Sequence, residues 1–154
     1  MGQNNLENQL SRLIYCSETI KPLPMDGFMH IRRTTRDNNE LNDITGLLAY
    51  GEGRFLQILE GSRDIVSETY ARILDDPLHH SCCLIQFTSC SERFFDGWTM
   101  RHLTVQQDTL EQIGFFERFQ PQLWSADRCL SFALKYSVWT GKNEADAHSA
   151  LTAV

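Results

Sequence analysis

Two apolar segments joined by a three-residue link, Gly51-Glu52-Gly53, place the strongest constraint on the fold. Residues 44–50 and 54–60 each have the length and the large apolar side chains that are typical of β-strands. A link this short, with two glycines, favours a hairpin of antiparallel strands. The other predicted elements must be arranged around this hairpin.

One polar residue interrupts the apolar pattern of the second of these strands. Because side chains alternate between the faces of a strand, Gln57 lies between Phe55 and Leu59 on the same face. If that face is buried, an amide without partners costs about 1–3 kcal/mol. Another side chain or a water molecule can satisfy the amide, and a bound polar ligand is the alternative.

The remaining elements complete a two-layer arrangement. Strands are predicted over residues 10–17, 81–91 and 99–104, and helices over residues 25–39 and 62–76. This order predicts an α+β, ferredoxin-like βαββαβ(β) sandwich with two helices on one face of the sheet. We expect the first and third strands to be adjacent and parallel, which places Tyr15 beside Gln57 on the helix-covered face. The two helices should then run in the same direction.

The facing sides of the two helices are apolar at one end and polar at the other. The apolar end contains Phe28, Ile31 and Ile65, and the polar end contains Asn38, Asn39, Arg72 and Asp76, with Thr35 between them. Such a groove suits a flat ligand with an apolar body and a hydrogen-bonding edge. The alternative is that these side chains only pack on each other and on the sheet.

Residues outside the sandwich form an arm, a helical segment and a tail. Residues 1–9 are predicted to be a disordered arm, and residues 141–154 a flexible tail. Two C-terminal helices are predicted over residues 108–124 and 127–139, within a segment of residues 105–140 that follows the domain of residues 10–104. These helices carry too many large apolar side chains for a solvated tail. They either cap the far face of the sheet or bind another chain.

Composition excludes several classes of function. The net charge of −6 argues against nucleic acid as a partner, because phosphate binding requires a basic surface. The sequence has no apolar run of membrane-spanning length, and residues 1–9 lack the apolar segment of a secretion signal. Five cysteines, an odd number, are not typical of a disulfide framework. We expect a cytoplasmic protein whose cysteines are small buried hydrophobic residues.

The sequence offers no strong catalytic or metal-binding motif. His79, His80, Cys82 and Cys83 cluster in sequence, but no second pair at zinc-ligand spacing follows them. No histidine can be assigned as a base beside Cys16. We therefore predict no metal site and no enzymatic activity.

Six short segments, in order from about residue 10 to residue 103, resemble the BLUF domain, the blue-light sensor that uses flavin. They are Arg12-Leu13-Ile14-Tyr15-Cys16-Ser17, Asn38-Asn39, Ile44-Thr45-Gly46-Leu47-Leu48, Phe55-Leu56-Gln57-Ile58-Leu59-Glu60-Gly61, Asp76-Pro77 with His79, and Trp98-Thr99-Met100. The trailing helices resemble those of short, stand-alone members of the family.

This resemblance implies a flavin between the two helices, usually FAD, with FMN or riboflavin as alternatives. Asn38 and Asn39 would bind its polar edge, and Arg72, Asp76 and His79 are the matching candidates for the rest of the ring and the ribityl side. Family members often carry a basic residue just before this histidine. Here that position is Leu78.

The resemblance also implies a photochemical mechanism. Tyr15 would donate an electron to the excited flavin, and Gln57 would relay a proton and finish in a changed orientation or tautomer. The product is a flavin with a slightly red-shifted spectrum and no net redox change. Trp98 or Met100, on the fifth strand, would then point at the glutamine and relay the signal.

We expect the signal to leave through the fifth strand and the C-terminal helices toward a downstream signalling protein. The protein is also expected to be a homo-oligomer. The alternative is a light-independent interaction module of ferredoxin-like fold, which would be colourless.

Overall fold

The computed structural model describes residues 8–19, 42–97, 100–115 and 117–138. Several predictions lie outside these ranges. They concern residues 1–7 of the arm predicted over residues 1–9, the first helix with Phe28, Ile31, Thr35, Asn38 and Asn39, the tail of residues 141–154, and Trp98.

The core of the fold is one mixed, five-stranded sheet. Its strands are β1 (Leu10–Thr19), β2 (Thr45–Gly51), β3 (Arg54–Ser62), β4 (His79–Ser89) and β5 (Arg101–Thr104). The strand order is β4-β1-β3-β2-β5. β5 is parallel to β2, and the other neighbouring strands are antiparallel. The sheet thus has the predicted ferredoxin-like order, with β4 beginning two residues earlier than expected.

The predicted hairpin is present between β2 and β3. Gly51 pairs with Arg54, which leaves Glu52 and Gly53 as the two central residues of the turn. Both have positive φ, 50° and 75°, as a type I′ turn requires. This turn fixes the register of β3, and hence the face on which Gln57 lies.

The prediction that β1 and β3 are parallel is wrong. β1 pairs with β3 in the antiparallel sense, and β3 is also antiparallel to β2. Of the strands β1, β2 and β3, the parallel pair is therefore β1 and β2, and β3 lies between them, as in a split βαβ unit. The two helices were predicted to run in the same direction because β1 and β3 were predicted to be parallel, so that reason no longer holds. Antiparallel pairing nevertheless places Tyr15 directly opposite Gln57.

Helix α1 (Arg63–Asp75) covers one face of the sheet. Ser62 occupies the N-cap position without a side-chain capping bond, and the helix ends before Asp76, close to the predicted boundaries. Val66 of α1 packs into a buried cluster with residues of β1, β2 and β3. This helix-side cluster contains Leu13, Tyr15, Ile44, Leu48, Phe55, Leu59, Val66 and Met100.

The C-terminal segment differs from the predicted pair of long helices. Helix α2 is short (Gln107–Gln112), a 3-10 turn follows at Pro121–Leu123, and helix α3 covers residues 126–138. α2 ends because Gly114 has a φ of 87°, while the N–H of Phe115 donates to the carbonyl of Leu110 at 2.8 Å. That pair of features is a Schellman C-cap. The prediction of one helix over residues 108–124 is therefore wrong, and that of a helix from residue 127 is confirmed.

The C-terminal segment caps the far face of the sheet. Its apolar side chains share one buried cluster with side chains of β1, β2 and β3. The segment supplies Leu110, Phe115, Phe119, Trp124, Cys129, Phe132, Ala133 and Tyr136, and the sheet supplies Ile14, Leu47, Ala49, Leu56 and Ile58. Of the two sequence-based alternatives, capping is the one observed. None of the helices within the described ranges is long and apolar enough to cross a bilayer.

Candidate functional site

The side chains of Tyr15 and Gln57 meet at the centre of the helix-covered face. The two residues are Cα partners in the β1–β3 ladder, and the Tyr15 hydroxyl donates to Gln57 Oε1. Tyr15 is fully buried and Gln57 is 3% exposed. Burial raises the pKa of Tyr15 well above its usual 10.0, so the phenol keeps its proton at neutral pH. The amide carbonyl therefore has a strong, dry hydrogen bond.

The amide nitrogen of Gln57 has a much weaker partner. Its Nε2 donates to the sulfur of Met100 at 3.8 Å, and a thioether is a poor acceptor. Met100 is 4% exposed, so water does not replace the sulfur. An amide carries two N–H groups, and Met100 is the one partner of this nitrogen among the described residues. Counting only the described residues, this buried nitrogen has one N–H group more than it has acceptors.

His79 lies at the start of β4, beside the same cluster. Its Nδ1 is 2.8 Å from Ser17 Oγ, and its ring centroid is 5.0 Å from that of Phe55. Burial lowers the pKa of His79 below 6.5, against the opposing effect of the Asp76 carboxylate. The imidazole is therefore neutral at pH 7. A neutral ring can both donate and accept hydrogen bonds.

The turn after α1 sets the position of His79. The carboxylate of Asp76 accepts a hydrogen bond from the backbone N–H of Leu78 at 2.9 Å. The backbone N–H of His79 donates to the carbonyl of Asp76 at 3.1 Å. Asp76 also raises the pKa of Tyr15, so its charge acts on the buried phenol. The turn thus joins two of the predicted site residues.

The structure brings some of the predicted residues together and leaves others apart. Tyr15, Gln57, Met100 and His79 meet in or beside the helix-side cluster, and Ile65 of α1 packs against it. Arg72 is exposed, and its Nη2 donates to Thr69 Oγ1 at 3.3 Å. Of the two relay candidates, Met100 contacts Gln57, whereas Trp98 lies outside the described residues.

Two residues of the site were missed by the sequence analysis. The ring of Tyr70 lies 5.2 Å from that of Tyr15, and Ser17 binds His79. Val66 is buried on α1, and Tyr70 is one helical turn beyond it, a spacing that could have identified this face. Ser17 shares the face of Tyr15 by strand alternation, so the pattern contained that signal also.

Fold and site together define an α+β domain that holds a buried amide between a phenol and a thioether. The family described as sensors of blue-light using FAD, abbreviated BLUF, matches residues 10–101. The chain belongs to the BLUF family.

Its relatives include both larger proteins and small ones. Photoactivated adenylate cyclase subunit beta of Euglena gracilis is 31% identical over 117 residues, covering 70% of this chain and 14% of that protein. The dark-state structure of the BLUF protein BlrB superposes with a TM-score of 0.72 at 25% identity, covering 88% of this chain and 98% of that one. The ground state of BlsA gives 0.70 at 26% identity, covering 80% and 84%.

Proposed function

We propose that this chain is a blue-light photoreceptor whose switch is the amide of Gln57. The observation that carries the proposal is the asymmetry of that amide. Its oxygen accepts from the buried Tyr15 hydroxyl, while its nitrogen has only the Met100 sulfur among the described residues. Within the part of the chain that the structure describes, this side chain is short of one acceptor.

A flavin bound without a covalent link fits this requirement. Its ring carries carbonyl and nitrogen acceptors along a planar edge, and the ring itself is suited to an aromatic and aliphatic environment. When bound, a flavin absorbs blue light and becomes a strong one-electron oxidant. We propose FAD as the cofactor, because the family is described by it. FMN and riboflavin are distinguished from it by the mass of the released compound.

The proposed binding residues come from α1, from the turn after it, and from residues 28–39, which lie outside the described ranges. His79, Asp76, Arg72 and Ile65 lie on or next to α1. The family resemblance adds Asn38, Asn39, Phe28, Ile31 and Thr35. A neutral His79, held by Ser17, supplies a hydrogen bond without burying a charge.

Two hydrogen-bond arrangements of Gln57 give the switch its two states. In the arrangement described, Oε1 faces Tyr15 and Nε2 faces Met100. Exchanging the two ends, by rotation or tautomerisation, would present a donor to the Tyr15 oxygen, which can also accept. In a site without water, each arrangement strengthens the hydrogen bonds next to it, so the amide occupies one arrangement or the other. Tyr15, the only phenol bonded to this amide among the described residues, is the proposed electron and proton donor.

Met100 links the proposed switch to the C-terminal segment. It immediately precedes β5. The end of β5 and the residues after it are hydrogen-bonded to Tyr136 of α3. Tyr136 donates to the carbonyl of Thr104 at 2.7 Å, and the N–H of Gln106 donates to the Tyr136 hydroxyl at 3.3 Å. A displaced Met100 would therefore act on α3 through β5. We propose that α3 carries the signal to a downstream signalling partner, or to a second copy of the chain, without catalysis by this domain.

A light-independent interaction module is the competing function. Absorption spectroscopy of the purified protein separates the two, before and after blue light. We expect a yellow protein whose flavin band shifts reversibly to longer wavelength. A protein that stays colourless after incubation with FAD, FMN and riboflavin would support the interaction module.

A further inference from the structure

Two cysteines face each other across the β1–β4 ladder. Cys16 of β1 and Cys83 of β4 are Cα partners in this antiparallel pair. Directly opposed residues in antiparallel strands have Cα atoms about 4.5–5.5 Å apart. A disulfide requires a separation of about 4.4–6.8 Å. The ladder shifts register between Ile14 and Tyr15 and again between Cys16 and Glu18, but Cys16 and Cys83 stay directly paired between these irregularities, which keeps their backbones within reach of a disulfide.

The surroundings of the two thiols differ. Cys16 is 3% exposed, whereas Cys83 is exposed. Burial, and then the neighbouring thiol of Cys83, raise the pKa of Cys16 to about 11. Cys16 is thus a protonated, shielded thiol, and Cys83 is the one that a soluble oxidant can reach first.

We propose that Cys16 and Cys83 form a reversible cross-strand disulfide, which gives the protein a redox-sensitive site next to the proposed photochemical one. The oxidant class is a low-molecular-weight disulfide, such as oxidised glutathione. A disulfide with one exposed sulfur remains open to reducing thiols, which is typical of labile, regulatory bonds.

The chemistry takes two exchange steps. The Cys83 thiolate attacks one sulfur of oxidised glutathione, the glutathione S–S bond breaks, and one glutathione thiol leaves. Cys16 then loses its proton to solvent and attacks the Cys83 sulfur, which releases the second glutathione. The two cysteines together lose two electrons and two protons, and the oxidant becomes two thiols.

The bond would fasten β4 to β1 beside the groups of the candidate site. Tyr15 directly precedes Cys16, and Ser17 directly follows it and binds His79 of β4. A cross-link here restricts the relative movement of these strands. We expect oxidation to change the rate at which the illuminated protein returns to its dark spectrum. This last effect rests on the proposed function, whereas the disulfide itself does not.

Cys82 provides a matched control. It is adjacent to Cys83 on β4, so the two side chains point to opposite faces of the sheet. Strand alternation turns it away from Cys83, and its neighbour opposite on β1 is not a cysteine.

The test uses the full chain equilibrated in buffers of increasing ratio of oxidised to reduced glutathione, in the dark. The samples are then unfolded in denaturant, the remaining thiols are alkylated, and the intact protein and its peptides are weighed. We expect a species with two alkyl groups fewer than the fully alkylated protein, with Cys16 and Cys83 in one linked peptide pair, that reverts with reduced glutathione. Cys82→Ser should form the same bond, and Cys83→Ser should not.

Two results would overturn the proposal in the unaltered chain. One is full alkylation of Cys16 and Cys83 at every buffer ratio. The other is a Cys83–glutathione adduct that persists without closure onto Cys16. Because neither result depends on flavin or light, this test can fail while the photoreceptor function stands, and the reverse is also true.

Discussion

Arg12 and Glu60 form an almost wholly buried ion pair at one end of β1 and β3. The guanidinium donates to the carboxylate at 2.8 Å, and the two side chains are 8% and 0% exposed. The carboxylate also accepts from the backbone N–H groups of Phe94 and Phe95, at 3.0 and 2.8 Å. Glu60 thereby fixes the β4–β5 loop that leads toward Met100.

Removing one partner of this pair should strongly destabilise the fold. Glu60→Ala removes the counter-ion of Arg12, which keeps only the Glu92 carbonyl and the Phe94 ring among the described residues. It also leaves two backbone donors without their acceptor, so we expect a loss of about 3–5 kcal/mol in the free energy of unfolding. Urea titration measures the change. Glu18→Ala, which removes the half-exposed pair with Arg54, is the control and should cost about 0–1 kcal/mol. Equal losses in the two variants would contradict the role given to Glu60.

The Tyr15 hydroxyl should be required for the photocycle. Tyr15→Phe keeps the buried ring but removes the hydrogen bond to Gln57 Oε1. We expect the variant to bind flavin and to lose the reversible red-shifted product, as seen in light-minus-dark absorption spectra. Tyr136→Phe makes the same chemical change on the opposite face and should keep the spectral shift. A normal photocycle in Tyr15→Phe would remove this residue from the mechanism.

Met100 should bias the orientation of the Gln57 amide. Met100→Leu preserves the volume, at a cost below about 1.5 kcal/mol, but removes the sulfur that accepts from Nε2. The described orientation is then less favoured, so we expect a larger lit fraction under constant illumination. Photostationary absorption spectra measure this fraction. A lit fraction and decay rate equal to those of the unaltered chain would show that the sulfur has no such effect.

His79 should make stability depend on pH. Its pKa is below 6.5 in the folded protein, so the unfolded chain binds more protons between the folded pKa and 6.5. The contribution of His79 to the free energy of unfolding should therefore be greatest above pH 6.5. It should fall as the pH drops from 6.5 to the folded pKa. Denaturant titrations at several pH values measure the slope. His79→Gln should flatten it, and an unchanged slope would contradict the burial of a neutral ring.

The parts of the structure that were predictable depend on local patterns. The hairpin follows from two apolar segments and the Glu52-Gly53 turn, and the pairing of Tyr15 with Gln57 follows from alternation on adjacent strands. The direction of β1 relative to β3 was mispredicted although the predicted order determines it: a βαβ crossover makes β1 parallel to β2, and the hairpin makes β3 antiparallel to β2 and hence to β1. Arg12 and Glu60 are 48 positions apart, so no local pattern indicates their contact.

The C-terminal segment shows a missed local signal and a question that the sequence left open. Gly114 could have indicated the end of α2, since glycine is the usual residue at this position of a C-cap. The sequence left two roles open for the apolar side chains of the segment, capping the sheet or binding another chain, and they form the core on the far face of the sheet. Deleting the segment would therefore expose that core. A test of signal transmission through α3 that leaves this core intact is light-dependent hydrogen exchange at residues 104–106, compared between the unaltered chain and Tyr136→Phe.

The central claim is that the buried amide of Gln57 is the switch, and Gln57→Leu tests it most directly. Leucine has a similar shape but neither donor nor acceptor, so one arrangement replaces two. The measurement is the light-minus-dark absorption spectrum of the purified, flavin-loaded variant beside the unaltered chain. We predict a bound flavin with no reversible red shift in the variant and a clear shift in the unaltered chain. A red shift of normal size and lifetime in Gln57→Leu would contradict the account.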